Sequence, residues 1–142
     1  MNLSPHFTLE ELTITELRQY DNTPNADQLA NLARLADFLE QCRDILASPI
    51  HINSAFRSAT INQIVGGQPN SQHLVGCAAD IRVPPYTPDE VMQKIMASGL
   101  GYDQLIREFD RWVHISIPNQ PGDFPRKQAL IIDRQGVRPY AT

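Results

Sequence analysis

Hydrophobic residues recur at helical spacing in several segments of the chain, most clearly in "NTPNADQLANLARLADFLEQCRDIL". Thr23 is the expected N-cap of this helix, and Pro24 suits its first turn. One face of the helix is apolar and is expected to be buried: Leu29, Leu32, Leu35, Ala36, Leu39, Cys42 and Ile45. Cys42 is therefore predicted to be a structural thiol. Since neither Cys42 nor Cys77 belongs to a CxxC pair, both are expected to be reduced.

Three shorter helices are predicted from the residues at their ends. "FTLEEL" begins with a capping box of Thr8 and Glu11, and "TPDEVMQKIMASG" begins with one of Thr87 and Glu90. A third short helix, in "SATINQIVGG", is expected to end at Gly66. The remaining elements are therefore expected between these helices or after them.

Alternating, β-branched segments predict the strands. These are "PIHINSAF", "AADIRV", "YDQLIRE" and "WVHISI", with "QALIID" as a candidate final strand. The intervening "FDR" is short enough for a hairpin turn. The predicted order is helices, strand, helix, strand, helix and then a β-meander. This order predicts an α+β fold. We expect a small, mostly antiparallel sheet with helices packed on it, in a single domain over residues 1–142.

Charge and hydropathy restrict the possible partners. The net charge is −4, which argues against nucleic acid because phosphate binding needs a basic surface. No apolar run approaches the ~18 residues of a membrane span. The start, "MNLSPHFTLEEL", lacks the basic and apolar order of a signal peptide. We expect synthesis in the cytoplasm and no membrane span, whereas the oligomeric state is not encoded in these features.

Candidate metal ligands occur in "SQHLVGCAAD", where His73 and Asp80 flank a run of small residues. Small side chains let the backbone turn tightly and pack against another element, so the two side chains can converge. Catalytic zinc takes three protein ligands and leaves one position for water. His114 in "RWVHIS" is the third candidate, because strand alternation places it opposite the aliphatic Val113 and Ile115. It is therefore expected on a different surface from the buried one.

A zinc hydrolase also needs a carboxylate as general base. If "FDR" is a three-residue turn, Glu108 pairs with Trp112 and shares the face of His114. A two-residue turn would place Glu108 on the other face. Asp110, within the turn, is the reserve candidate. Arg57, at the end of its strand, could bind a substrate carboxylate or a developing oxyanion.

The segments "SAFRS", "INQIVGG", "NSQHLVGCAADI" and "DQLIREFDRWVHIS", in this order and spacing, resemble the zinc D-alanyl-D-alanine carboxypeptidase family, peptidase family M15. That family includes phage L-alanyl-D-glutamate endopeptidases and D-Ala-D-Ala dipeptidases. The chain is similar to its small single-domain branch of phages, prophages and bacteria. "LSPHFTLEEL" and "DNTP…NLARLADFLEQCRDIL" extend the resemblance over almost the whole chain.

The resemblance implies a role for each motif residue. His73, Asp80 and His114 would bind one zinc ion per chain, in a site on the sheet. Arg57 and Ser71 would contact the substrate. Several relatives carry an acid three positions before the last histidine, where this chain has Arg111. In the branch that it resembles, the base lies in the preceding strand, and this position matches Glu108. Cys77 stands where an unreactive residue is expected, and we interpret it as a small filler.

The leading hypothesis is a zinc metallopeptidase that cleaves peptidoglycan stem peptides, as a carboxypeptidase or as an endolysin-type endopeptidase. Two alternatives remain open at this point. One is a non-catalytic wall-binding or phage structural module that keeps the fold, and the other is hydrolysis of a different amide. Without a signal peptide, action on the wall would follow holin-mediated release, virion assembly or wall recycling.

Overall fold

The computed structural model describes residues 1–140, which form an α+β fold around a six-stranded, mostly antiparallel sheet. The strands are β1 Asn2–Ser4, β2 Phe7–Thr8, β3 His51–Ser54, β4 Ala78–Arg82, β5 Gln104–Glu108, β6 Trp112–Ser116, β7 Gln128–Asp133 and β8 Gly136–Pro139. The helices are α1 Leu9–Leu12, α2 Ala26–Leu46, α3 Ala59–Ile64 and α4 Pro88–Ser98, with a 3-10 helix at Gln72–Val75. The predicted fold class is confirmed.

The large sheet has the strand order β3-β4-β6-β5-β7-β8, and β1 and β2 form a separate pair. All neighbours in the large sheet are antiparallel except β5 and β7, which run parallel. The expected β-meander is therefore wrong beyond β6. Residues 117–127 return the chain to the start of β5, where Lys127 N–H donates to Tyr102 O and Gln128 N–H donates to Asp103 O. Strand β8, which was not predicted, then pairs with β7.

Capping determines where the helices begin. The predicted capping boxes of α1 and α4 are both present. The expected N-cap of α2 is wrong: Asn25 caps this helix and accepts from Gln28 N–H at 2.8 Å. Thr23 lies before the helix, and its hydroxyl donates instead to Asp21 Oδ1. No helix within residues 1–140 has both the length and the apolar character needed to cross a membrane.

The core lies between one face of the large sheet and helices α2 and α4. The sheet contributes the odd-numbered residues of its central strands, which are almost fully buried: Ala79, Ile81, Leu105, Val113 and Ile115. Helix α2 buries the predicted stripe from Leu32 to Cys42. The prediction of Ile45 is wrong, because Ile45 is 36% exposed and Leu46 is buried in its place. Full burial of one large aliphatic side chain contributes about 1.5–3 kcal/mol to the stability of the fold. Because strand side chains alternate, the even-numbered residues point to the opposite face of the sheet.

Asp103 anchors the return of the chain from β6 to β7. Its carboxylate, 4% exposed, accepts from Arg126 N–H at 3.0 Å and from Arg126 Nη2 at 2.7 Å. It also accepts from Gln72 Nε2 at 3.1 Å. The hydrogen bonds from Arg126 hold the pKa of the Asp103 carboxyl below its usual range, against the opposing effect of burial. The carboxylate therefore joins the 3-10 helix to the crossover segment.

We expect Asp103→Asn to lower the free energy of unfolding at pH 7 by about 2 kcal/mol, because hydrogen bonds to a charged group are lost. Since the pKa is lower in the folded protein, the ionised form stabilises the fold above the unfolded pKa of about 3.9. The difference from wild type should therefore shrink as the pH falls below 4. Denaturant unfolding at several pH values measures it. Asp123→Asn, at an exposed position of the same segment, is the control, and a pH-independent difference would contradict the prediction.

Candidate metal centre

Three side chains that the sequence analysis singled out converge on the face of the sheet opposite the core. Asp80 in β4 and His114 in β6 are direct cross-strand partners. His73 reaches them from the 3-10 helix, and one ligand atom from each of the three residues lies within 4.8 Å of the others. His114 Nδ1 is 3.1 Å from Asp80 Oδ1, and His73 Nε2 is 3.4 Å from Asp80 Oδ2. All three residues are buried.

The 3-10 helix and the carbonyl of Ala55 fix the position and the orientation of His73. Ser71 caps this helix, and its Oγ accepts from His73 N–H at 3.1 Å. Nδ1 of His73 lies 2.6 Å from the carbonyl oxygen of Ala55. Because a carbonyl can only accept, Nδ1 carries a proton, and Nε2 is the ring nitrogen that faces Asp80. In the neutral ring, Nε2 has a lone pair that a metal ion could bind.

The small residues between His73 and Asp80 allow close packing, as predicted. Gly76 has φ +81°, and a Cβ there would lie 2.8 Å from the carbonyl oxygen of Gln28 in α2. Cys77 is fully buried in the core, with Sγ 3.6 Å from Arg34 Nη2. Burial raises the pKa of its thiol. Cys77 is thus packed towards α2, in agreement with its interpretation as a filler.

Asp80 is the charged centre of the cluster. Burial favours its neutral form, but the charge of His73 and a hydrogen bond from His114 outweigh this effect. The pKa of the Asp80 carboxyl is therefore held well below its usual range. Arg57 Nη2 also donates to Asp80 Oδ2 at 3.2 Å. Asp80 is thus an ionised carboxylate that is stabilised from three sides.

His114 differs from the expectation in one respect. It faces away from the aliphatic side of β6, as predicted, but it is only 9% exposed, and Ser116 on the same face is fully buried. Both faces of β6 are therefore covered. The reason is that the 3-10 helix packs over the metal-ligand face of β4 and β6, bringing His73 to a ring-centroid distance of 5.2 Å from His114.

The hairpin between β5 and β6 has the three-residue turn that places Glu108 opposite Trp112. Glu108 consequently shares the face of His114, and Trp112 Nε1 donates to Glu108 Oε2 at 3.1 Å. Burial, and then the negative charge of Asp80, raise the pKa of the Glu108 carboxyl. Asp110 lies in the exposed turn and forms an ion pair with Arg107 at 3.2 Å. The geometry therefore favours Glu108 over Asp110 as the carboxylate next to the cluster.

A family model described as peptidase M15 matches residues 5–116. The chain belongs to the peptidase M15 family. The matched range contains the whole histidine–aspartate cluster and Glu108. Comparison with curated proteins finds no match. Membership of M15 implies a hydrolase of the metal-dependent peptidase type.

The M15 cluster fits a divalent transition metal by its donor chemistry. Two imidazoles and one carboxylate are a ligand set that zinc accepts at catalytic sites, with a fourth position left open. Hydrogen bonding of His73 Nδ1 to a backbone carbonyl is the usual way in which a protein orients a metal-binding imidazole. The second oxygen of Asp80 has its own partner in Arg57. His73, Asp80 and His114 could therefore hold one metal ion.

Some residues that support the site were not identified from the sequence. The carbonyl of Ala55 orients His73, and Ser54 and Asn62 accept hydrogen bonds from Arg57. Backbone carbonyls carry no sequence signal, so the role of Ala55 depends on the folded contact alone. Asn62, in contrast, stands in "INQIVGG", a motif that contributed to the family resemblance but had been given no role.

Adding zinc to the metal-free protein should raise its thermal unfolding midpoint, because a ligand that binds only the folded state stabilises it by about 2.7 kcal/mol at 100 times its dissociation constant. We expect His114→Ala to abolish this rise. His51→Ala is the matched control, since His51 is exposed on β3, and it should respond as the wild type does. Equal zinc responses in the two variants would contradict the assignment of this cluster as the metal centre.

Proposed function

We propose that this protein is a zinc peptidase that hydrolyses peptide bonds in the stem peptides of peptidoglycan. The observation that carries the proposal is the buried cluster of His73, Asp80 and His114 with Glu108 on the same face of the sheet. In the proposal these three residues are the ligands of one zinc ion. When bound, zinc would polarise the scissile carbonyl and lower the pKa of the attacking water.

Glu108 is the general base in this proposal. Its carboxylate takes a proton from water as the water oxygen bonds to the carbonyl carbon. It then delivers this proton to the amide nitrogen as the carbon–nitrogen bond breaks. Burial raises the pKa of the Glu108 carboxyl, which makes its carboxylate a stronger base for the proton of the attacking water. Trp112 Nε1 donates to Oε2 and thereby helps to orient the carboxylate.

Arg57 and Ser71 are proposed to contact the substrate. Three nitrogens of Arg57 already donate to protein acceptors. A guanidinium has five N–H groups, so two N–H groups of Arg57 remain for a substrate carbonyl or carboxylate. Ser71 is half-buried, and its oxygen already accepts from His73 N–H. Its hydroxyl hydrogen is the group with which it could contact the substrate.

Digestion of purified peptidoglycan tests the proposed function. The wild type should contain one zinc ion per chain and release stem-peptide fragments, whereas His73→Ala should lose both the metal and the release. Mass spectrometry of the new termini then identifies the bond that is cut. Loss of a terminal residue indicates a carboxypeptidase, and cleavage within the stem indicates an endopeptidase. A zinc-loaded protein that binds peptidoglycan but releases nothing would instead support a binding module.

Glu108→Gln should lower kcat by about 10²–10⁴-fold, the usual contribution of a general base. Zinc content should stay at one per chain, because Glu108 is not among the proposed ligands. Asp110→Asn is the matched control from the same hairpin, and its kcat should stay within about twofold of wild type. Steady-state kinetics on the fragment-releasing reaction, with metal analysis of each variant, makes the comparison. A large loss of kcat in Asp110→Asn with a nearly unchanged kcat in Glu108→Gln would instead assign the general base to Asp110.

A further inference from the structure

The guanidinium of Arg57 is held by three acceptors from different parts of the chain. Nε donates to Ser54 Oγ at 3.1 Å, and Nη1 donates to Asn62 Oδ1 at 3.3 Å. Nη2 donates to Asp80 Oδ2 at 3.2 Å. A planar group with three directed contacts has one orientation, so the contact with Asp80 depends on the other two acceptors.

Asn62 is itself fixed in position. It is 3% exposed, and its Nδ2 donates to the carbonyl oxygen of Gln68 at 2.9 Å. The two ends of this amide therefore face opposite kinds of partner, a cationic donor and a carbonyl acceptor. This pattern determines which end is oxygen and which is nitrogen. Rotating the amide would break both hydrogen bonds.

Gly67 leaves the space that the Asn62 amide occupies. A Cβ at Gly67 would lie 2.1 Å from Asn62 Oδ1 and 2.7 Å from Asn62 Cγ. The neighbouring Gly66 has φ +76°, and a Cβ added at this residue would have no atom within 4 Å. Gly66 is thus needed for its backbone conformation, whereas Gly67 is needed for space. The two glycines that end "INQIVGG" have different physical roles.

We infer that Asn62, with Gly67 behind it, is a positioning residue that holds Arg57 against Asp80 and so orients this carboxylate for metal binding. The inference rests on the proposed role of Asp80 as a zinc ligand. Partners that orient a metal ligand typically contribute 10–100-fold to metal affinity. Arg57 therefore acts on the metal centre through Asp80, in addition to any contact that it makes with a substrate.

A double-mutant cycle on zinc affinity tests this inference. The four proteins are wild type, Asn62→Ala, Gly67→Ala and the double variant, and the zinc dissociation constant is measured by competition with a chromophoric chelator. We expect Asn62→Ala to weaken zinc binding by about 10–100-fold. Gly67→Ala should also weaken it, because the new methyl group displaces the Asn62 amide. In the double variant no amide remains to be displaced, so its affinity should equal that of Asn62→Ala.

Two controls separate positioning from a general loss of structure. Gln63→Ala alters an exposed neighbour in α3 and should leave zinc affinity unchanged. The thermal unfolding midpoint of each metal-free variant is measured first. The zinc affinities are then compared at one temperature well below all of these midpoints, where every variant is folded. If Asn62→Ala does not fold, Gly67→Ala alone decides the question, since it keeps the asparagine but moves its amide.

Two results would overturn the inference. One is wild-type zinc affinity in Asn62→Ala, or in Gly67→Ala where that variant alone decides. The other is an equal loss of zinc affinity on Gly67→Ala whether residue 62 is asparagine or alanine. Peptidoglycan digestion on the same samples separates this inference from the proposed function. If the cycle is non-additive as expected but the wild type cuts nothing, positioning stands and the peptidase proposal fails. If the wild type releases stem peptides but Asn62→Ala and Gly67→Ala bind zinc as tightly as the wild type, the peptidase proposal stands and the positioning inference fails.

Discussion

The ionised carboxylate of Asp80 is the group on which the arrangement of the site depends. An unpaired buried charge costs several kcal/mol, so a carboxylate at the centre of a sheet requires partners on every open side. His114 comes from the neighbouring strand, His73 from the 3-10 helix and Arg57 from the segment after β3. Each of these elements must therefore be placed accurately before Asp80 can be buried.

Strand alternation allows this polar cluster to exist beside a hydrophobic core. Val113 and Ile115 point into the core, while His114 between them points to the site. The 3-10 helix covers the cluster and is held at two consecutive residues. His73 contacts the carbonyl of Ala55, and Gln72 donates to Asp103. The contact with Asp103 connects the site to the crossover segment that makes β7 parallel to β5.

Several features that depend on local chemistry were predictable from the sequence, although the N-cap of α2, also a local feature, was assigned to Thr23 instead of Asn25. The capping boxes of α1 and α4 involve neighbours in the chain, as does the three-residue turn, the first of the two turn lengths considered, which aligns Glu108 with Trp112. The parallel pairing of β7 was not predictable in this way. It depends on how Asp103 binds Arg126 and Gln72, which are distant in sequence. The burial of His114 likewise requires the 3-10 helix to pack over β6, and no periodicity within β6 indicates this.

The ion pair between Arg57 and Asp80 also determines the electrostatic character of the site. Arg57 offsets the charge of Asp80, and His73 is neutral when its Nε2 lone pair is free to bind a metal. A divalent ion held there would therefore be only partly neutralised by Glu108, and the site would stay positive although the chain has a net charge of −4. Charges that are buried beside the site act through a lower dielectric than the surface charges, so the local field dominates at short range. With a metal ion bound, a positive site within an acidic protein would suit the substrate proposed above, since peptidoglycan stem peptides present carboxylates.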